Sequence, residues 1–235
     1  MTVDFERARE ETLKYHKAYY SRFKLFEDGS WLAHPDAPLM QLLNYLEGNI
    51  KILDLGCGVG RNAIPMAQAL QKLGKEATIT CVDVLAESID LLSEYAVTYK
   101  VEDIIDPVLA DNDNFVMAKS HYDLIAAIST LEHCQGKDRV VAVMREIAGS
   151  TKSAGFVRIE MTTDRNVIDA ASGEAIATFV ETPLLGEEVE EMLSLAFAGW
   201  NVIGKTIDPY EETIEKEGRS VHWCSTQINF TAQKP

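Results

Sequence analysis

The chain has 235 residues, 46% of them hydrophobic and 25% charged, the balance of a protein able to bury a substantial core. Its net charge of −15 makes a polyanion an unfavourable partner, which argues against nucleic acid, and no apolar run approaches the ~18 residues that a membrane span needs. The four cysteines, Cys57, Cys81, Cys134 and Cys224, form no CxxC pair, and the charged amino terminus lacks the apolar stretch of an export signal, so reduced thiols and a cytoplasmic location are expected.

Residues 4–24 read as an amphipathic helix, with Leu13, His16, Tyr19, Tyr20 and Phe23 recurring at three- and four-residue steps. A turn-like stretch follows. Asp36 then suits an N-cap and Pro38 a first turn, for a helix through Glu47 that Gly48 and Asn49 stop. From residue 50 strand and helix alternate. IKILDL is apolar throughout, as a strand buried on both faces should be, and RNAIPMAQALQKLG is helical up to Gly74. ATITCVDV and AESIDLLSEYAVTY repeat the pair, IDPVLADN is a weaker third strand, and YDLIAAIST a fourth. KDRVVAVMREIAGS reads as a helix, AGFVRIEMT as a fifth strand, and LGEEVEEMLSLAFAG as a helix whose acidic first turn suits its dipole. WNVIGKTID and SVHWCSTQINFTAQ close the chain as two strands joined by an acidic loop over 209–218.

This alternation predicts an α/β fold, a doubly wound and mostly parallel sheet. The last two strands have no helix between them and should form a hairpin, one of them antiparallel to the rest. Residues 50–235 are expected to form one compact unit, preceded by a helical cap over 1–49.

In such a sheet ligands bind at the carboxyl ends of the parallel strands. The first strand ends in Asp54-Leu55-Gly56-Cys57-Gly58-Val59-Gly60, and glycines there permit a tight turn and close approach of a ligand to the backbone. A dinucleotide fingerprint needs glycines at positions one, three and six, but position six from Gly56 is Arg61, which argues against an NAD(P)-dependent oxidoreductase. Asp83, at the end of the second strand, either accepts hydrogen bonds from ribose hydroxyls or caps the next helix. Asp111 and Asn112 lie in DNDN, a run of turn formers. His133 either serves as a general base or packs its loop.

The D-x-G-x-G-x-G turn, Asp83, Asp111-Asn112 and STLEH at residues 129–133 together resemble class I S-adenosylmethionine-dependent methyltransferases. Among these, DLGCGVGRNA and the closing SVHWCSTQINFTAQK are most similar to the tellurite-resistance-type and related small-molecule enzymes. The resemblance covers residues 50–162 well and the remainder loosely. It implies a Rossmann-like seven-stranded sheet with the last strand antiparallel, S-adenosyl-L-methionine (AdoMet) as donor, S-adenosyl-L-homocysteine as product, and a small-molecule acceptor methylated by in-line displacement. It places Asp54, Gly56, Cys57, Gly58, Gly60, Asp83, Val84, Asp111, Asn112 and Ser129 against the cofactor, and Glu132 and His133 on the catalytic side. Arg61, Tyr20, Trp31, Arg219 and Trp223 are the candidate substrate contacts. A non-catalytic AdoMet-binding protein is the alternative reading, and a homodimer is left open.

Three further stretches carry weaker signals. GWNVIGKT at 199–206 satisfies the phosphate-loop pattern, but its bulky interior reads as strand rather than loop. His133-Cys134 and His222-x-Cys224 do not have the spacing of a recognised zinc site, so no metal is expected. Tyr15, Tyr19, Tyr20 and Trp31 either form a lid over the cofactor crevice or pack at helical spacing.

Overall fold

The computed structural model describes residues 4–176, 180–216 and 219–235. Its cap is α1 (Phe5–Arg22) and the short α2 (Ala37–Leu42), followed by a 3₁₀ turn over Leu43–Tyr45. Asp36 caps α2 as expected, accepting from the Leu39 amide at 2.6 Å. The helix ends earlier than the sequence suggests, tightening into the 3₁₀ turn instead of running on to Glu47. Among the described residues no helix is long and apolar enough to cross a membrane.

The rest alternates: β1 (Ile50–Leu55), α3 (Ala63–Lys72), β2 (Ala77–Asp83), α4 (Ala86–Tyr99), β3 (Ile105–Leu109), β4 (Tyr122–Ile128), α5 (Lys137–Ser150), β5 (Thr151–Asp169), α6 (Gly186–Ala196), β6 (Asn201–Lys216) and β7 (Arg219–Gln233). The strands form one seven-stranded sheet in the order β3-β2-β1-β4-β5-β7-β6. Pairing is parallel from β3 to β5, and β7 runs antiparallel to both β5 and β6. The expected hairpin and antiparallel last strand are therefore present.

Side-chain alternation explains why the central strands are apolar throughout. On β1 Ile50 and Ile52 enter the core beneath α3 and α4, while Leu53 and Leu55 enter the one beneath α5 and α6. On β4 Leu124 and Ala126 divide from Ile125 and Ala127 in the same way. Each fully buried Leu or Ile contributes roughly 1.5–3 kcal/mol, so the sheet centre is the stable part of the molecule.

The edge differs from expectation. The acidic stretch from Pro209 is not a loop: β6 continues through it to Lys216, paired residue by residue with β7. Its side chains from Asn201 to Thr213 are exposed, and charges and Pro209 keep this open edge from pairing further. β5 is also longer than its apolar run, reaching Asp169.

Candidate functional site

The strand order turns back between β1 and β4, and in open α/β sheets that is where a crevice forms outside the carboxyl ends. Here the crevice is a cavity of about 370 Å³. It is floored by the loops after β1, β2, β3 and β4 and covered by α1.

Gly56 and Gly58 need to be glycine for different neighbours. Gly56 has φ +67°, and a Cβ there would overlap the Thr130 hydroxyl. Gly58 has φ +53°, and a Cβ would stand 2.8 Å from the Tyr20 hydroxyl. The Gly58 amide donates to Asp83 Oδ2 at 2.9 Å, and the Leu85 amide to Asp83 Oδ1 at 2.9 Å. Asp83 therefore pins the glycine turn to the start of the next loop. It does not cap α4, whose N-cap position is Leu85. Burial pushes the Asp83 carboxyl up, and these amides pull it back.

Cys57, Val84, Asp111, Asn112 and Ser129 also line the cavity. Asp111 forms a tight turn with the Asp113 amide at 2.9 Å and pairs with Arg9 Nη1 at 2.6 Å, so the turn that its sequence suggests is present on the cavity wall. The Asn112 side-chain Nδ2 donates to Thr130 Oγ1 at 2.7 Å. Ser129 has φ +50°, a strained geometry for a non-glycine residue, and its hydroxyl donates to Glu160 Oε1 at 3.0 Å.

Two residues of the motif do not line the cavity. A Cβ on Gly60 would press on Leu92 and Ile64, so Gly60 serves helix packing. Asp54 lies behind the turn, 1% exposed, with Oδ2 unpartnered. Burial pushes its carboxyl up to about 7, Arg61 pulling it back and Asp83 adding to the rise. An acid whose folded pKa is raised stabilises the fold when protonated, and that contribution is lost as pH rises from ~4 through about 7. Asp54→Asn is expected to flatten this loss, so denaturant midpoints of variant and wild type should separate progressively between pH ~4 and about 7 and stay a constant distance apart above it.

Of the candidates on the substrate side, Tyr20, Trp31, Arg61 and His133 line the cavity. Arg61 lies over the Trp31 ring, 5.9 Å from its centroid, and donates to the Trp31 carbonyl at 3.4 Å. Tyr19 stacks on Trp31 at 5.0 Å, supporting it from outside the cavity, and Tyr15 is exposed. His133 Nδ1 lies 3.1 Å from Glu181 Oε2.

Three candidates fall outside. Glu132, beside His133 on one 3₁₀ turn, is fully buried on the other side, accepting from the Thr162 amide at 3.2 Å and Arg165 at 3.3 Å. Trp223 and Arg219 stand on the part of β7 that overshoots the sheet. Gln227 lines the cavity, and at ~3.4 Å per residue Trp223 is about 14 Å and Arg219 about 27 Å farther along the strand. Trp223 packs under Arg165 instead.

GWNVIGKT runs from a turn into β6 with no helix following, so it cannot cradle phosphate. Glu211, His222 and Cys224 bring potential ligand atoms within 4.8 Å of one another. Glu211 and Cys224 are cross-strand partners on β6 and β7, so they share the face opposite that of Tyr210 and Gln227.

The sequence reading missed Arg9, His16, Glu181 and Tyr210, all of which line the cavity. Arg9, Leu13, His16 and Tyr20 recur at three- and four-residue steps, one face of α1. That face carries a cation and an imidazole, and Ala8 is the helix's one buried residue. A polar inner stripe on a helix with so little core is the signal that could have found them.

Residues 52–155 match the family described as methyltransferase domain. Over 129 residues the chain is 29% identical to methyltransferase GfsG of Streptomyces halstedii, covering 55% of this chain and 44% of that protein. The chain thus spans under half the length of this curated relative. Among solved structures, TehB from Haemophilus influenzae shares the fold with a TM-score of 0.63 at 17% identity, over 94% of this chain and 67% of TehB. A SAM-dependent methyltransferase from Methanosarcina mazei gives 0.58 at 15%, over 85% and 98%. The [4+2]-cyclase SpnF gives 0.58 at 17%, over 84% and 81%. Residues 52–155 are thus similar to a methyltransferase domain, and the seven-stranded sheet shares its fold with a solved SAM-dependent methyltransferase.

Proposed function

We propose that the protein transfers a methyl group from AdoMet to a small-molecule nucleophile by in-line displacement, releasing S-adenosyl-L-homocysteine. One observation carries this reading: the glycine turn, Asp83 and Asp111-Asn112, from three strand ends, open into a single cavity. Its volume of about 370 Å³ is of small-ligand size, and the net charge of −15 disfavours a polyanionic acceptor.

The residues present fit AdoMet. Gly58 leaves room where a Cβ would intrude; Asp83, a carboxylate at the end of β2, suits the ribose hydroxyls; Asp111 and Asn112 suit the adenine. When bound, AdoMet supplies a methyl group already activated on a sulfonium. The protein's part is then to orient the acceptor and keep water away, with α1 as the cover and Tyr20 and Trp31 as its aromatic wall.

Asp83→Ala is expected to weaken S-adenosylhomocysteine binding by ~1–3 kcal/mol, the loss of a charged hydrogen-bond partner, read by calorimetry on a variant with wild-type circular dichroism. An unchanged dissociation constant would remove Asp83 from the ribose site. Turnover is checked with methyl-tritiated AdoMet and a panel of small phenols, alcohols and amines.

A further inference from the structure

We infer that Glu211, His222 and Cys224 form a zinc site on the outer face of the β6–β7 hairpin, and that the ion clamps the two strands just behind the cavity wall. The site does not depend on the methyl-transfer reading above.

His222 and Cys224 are two residues apart on β7, so their side chains leave the strand on one face. Strand pairing sets Glu211 directly across from Cys224, and Thr213 across from His222. One ligand atom from each of Glu211, His222 and Cys224 then lies within 4.8 Å of the others. The His-x-Cys spacing alone is not that of a zinc site; the third donor comes from the neighbouring strand, which no linear spacing shows.

The imidazole is already aimed. Its Nδ1 lies 3.3 Å from the Thr213 hydroxyl, and its Nε2 3.8 Å from Glu211 Oε2. A partner on one ring nitrogen fixes the ring's orientation and leaves the other nitrogen as the ligand. Around a tetrahedral ion with bonds of ~2.0–2.3 Å, ligand atoms stand roughly 3.3–3.8 Å apart. The donors must therefore close by no more than about 1.5 Å. Glu211, its side chain 67% exposed, has the room to supply that movement.

The donor set selects the ion. A thiolate, an imidazole and a carboxylate suit zinc, whereas magnesium and calcium take shells of oxygen. As the zinc–sulfur bond forms, the Cys224 thiol proton passes to solvent, so thiolate and carboxylate together balance the charge of the ion. Three protein ligands leave one position to water. The surroundings favour a cation, because the chain carries a net −15 and Asp208, Glu211 and Glu212 stand on one stretch of β6.

Packing does not explain the cluster. On the same face of β7, Ile228 and Phe230 are buried beneath α5 and α6, but the His222 side chain is 39% exposed. Cys224 is the one cysteine of the four that is not buried, and an exposed pair of His222 and Glu211 adds little stability by itself. A clamp has a use at this point. Tyr210, beside Glu211, lines the cavity from the opposite face, where the hairpin runs on past the last β4 pairing at Glu160.

The test uses the full chain, stripped of metal and kept reduced with a phosphine. Zinc titrated against a chromophoric chelator is expected to bind one ion per chain at micromolar concentration. Cys224→Ser and His222→Ala should each weaken binding by about tenfold or more, and Thr213→Val, which keeps all three ligands, by about tenfold. Cobalt(II) in place of zinc is expected to show a thiolate charge-transfer band that Thr213→Val keeps and Cys224→Ser loses. Zinc should also slow amide exchange over 209–213 and 222–226. No zinc bound, or a cobalt band that survives Cys224→Ser, overturns the site. Affinity that the ligand variants leave unchanged means adventitious coordination elsewhere on the surface and overturns it too. Binding with the expected band but without slower exchange overturns the clamp.

Discussion

Gly58→Val is expected to raise the dissociation constant for S-adenosylhomocysteine by about a hundredfold or more. The native φ of +53° lies where a β-branched residue is an outlier, and a Cβ would stand 2.8 Å from the Tyr20 hydroxyl. Overpacking of this kind costs typically 1–3 kcal/mol, and about 2.7 kcal/mol is a hundredfold in affinity. The cost falls on the site, because Gly58 also donates the amide that Asp83 holds. If the turn yields, that tie goes; if it does not, Tyr20 and α1 are pushed off the cavity. Gly58→Ala should be intermediate, and Tyr20→Ala in that background should recover part of the binding. Affinity within about threefold of wild type for a folded Gly58→Val protein would mean the turn is not the cradle.

Arg158→Ala is expected to destabilise the fold by ~3–5 kcal/mol, the usual cost of stranding the partner of a buried ion pair. The Arg158 side chain is 4% exposed on β5 and meets Asp36 twice, at 3.0 and 2.7 Å, and Asn229 Oδ1 at 2.6 Å. Asp36 is also the cap of α2, so the pair ties the cap region to the sheet. Glu160 Oε2 lies 3.7 Å from the same guanidinium, and its other oxygen holds the strained Ser129. The loss should therefore appear both in the urea midpoint and in weaker S-adenosylhomocysteine binding. Asp36→Asn together with Arg158→Ala should cost less than the sum of the two single changes.

The central strands were legible because they are buried on both faces: IKILDL and YDLIAAI have no polar alternation to confuse with an amphipathic helix. The edge was not. β6 beyond Pro209 is acidic, and exposed as far as Thr213, so it shows no burial pattern there, and it is strand because β7 pairs with it. The strand-end side of the cavity was readable from glycines and acids after the strands, where position along the chain nearly determines position in space. The other side was not, for two physical reasons. Glu132 and His133 are neighbours on one turn, and nothing in LEH says which faces the cavity. Arg9, His16 and Glu181 come from distant segments, and only the folded chain brings them to His133.

The account stands most directly on a calorimetric titration of the full chain with S-adenosylhomocysteine, with NADH and ATP as controls. It predicts micromolar, one-to-one binding of S-adenosylhomocysteine and none of the controls. Binding of NADH or ATP in its place, or no heat from any of the three, would contradict it.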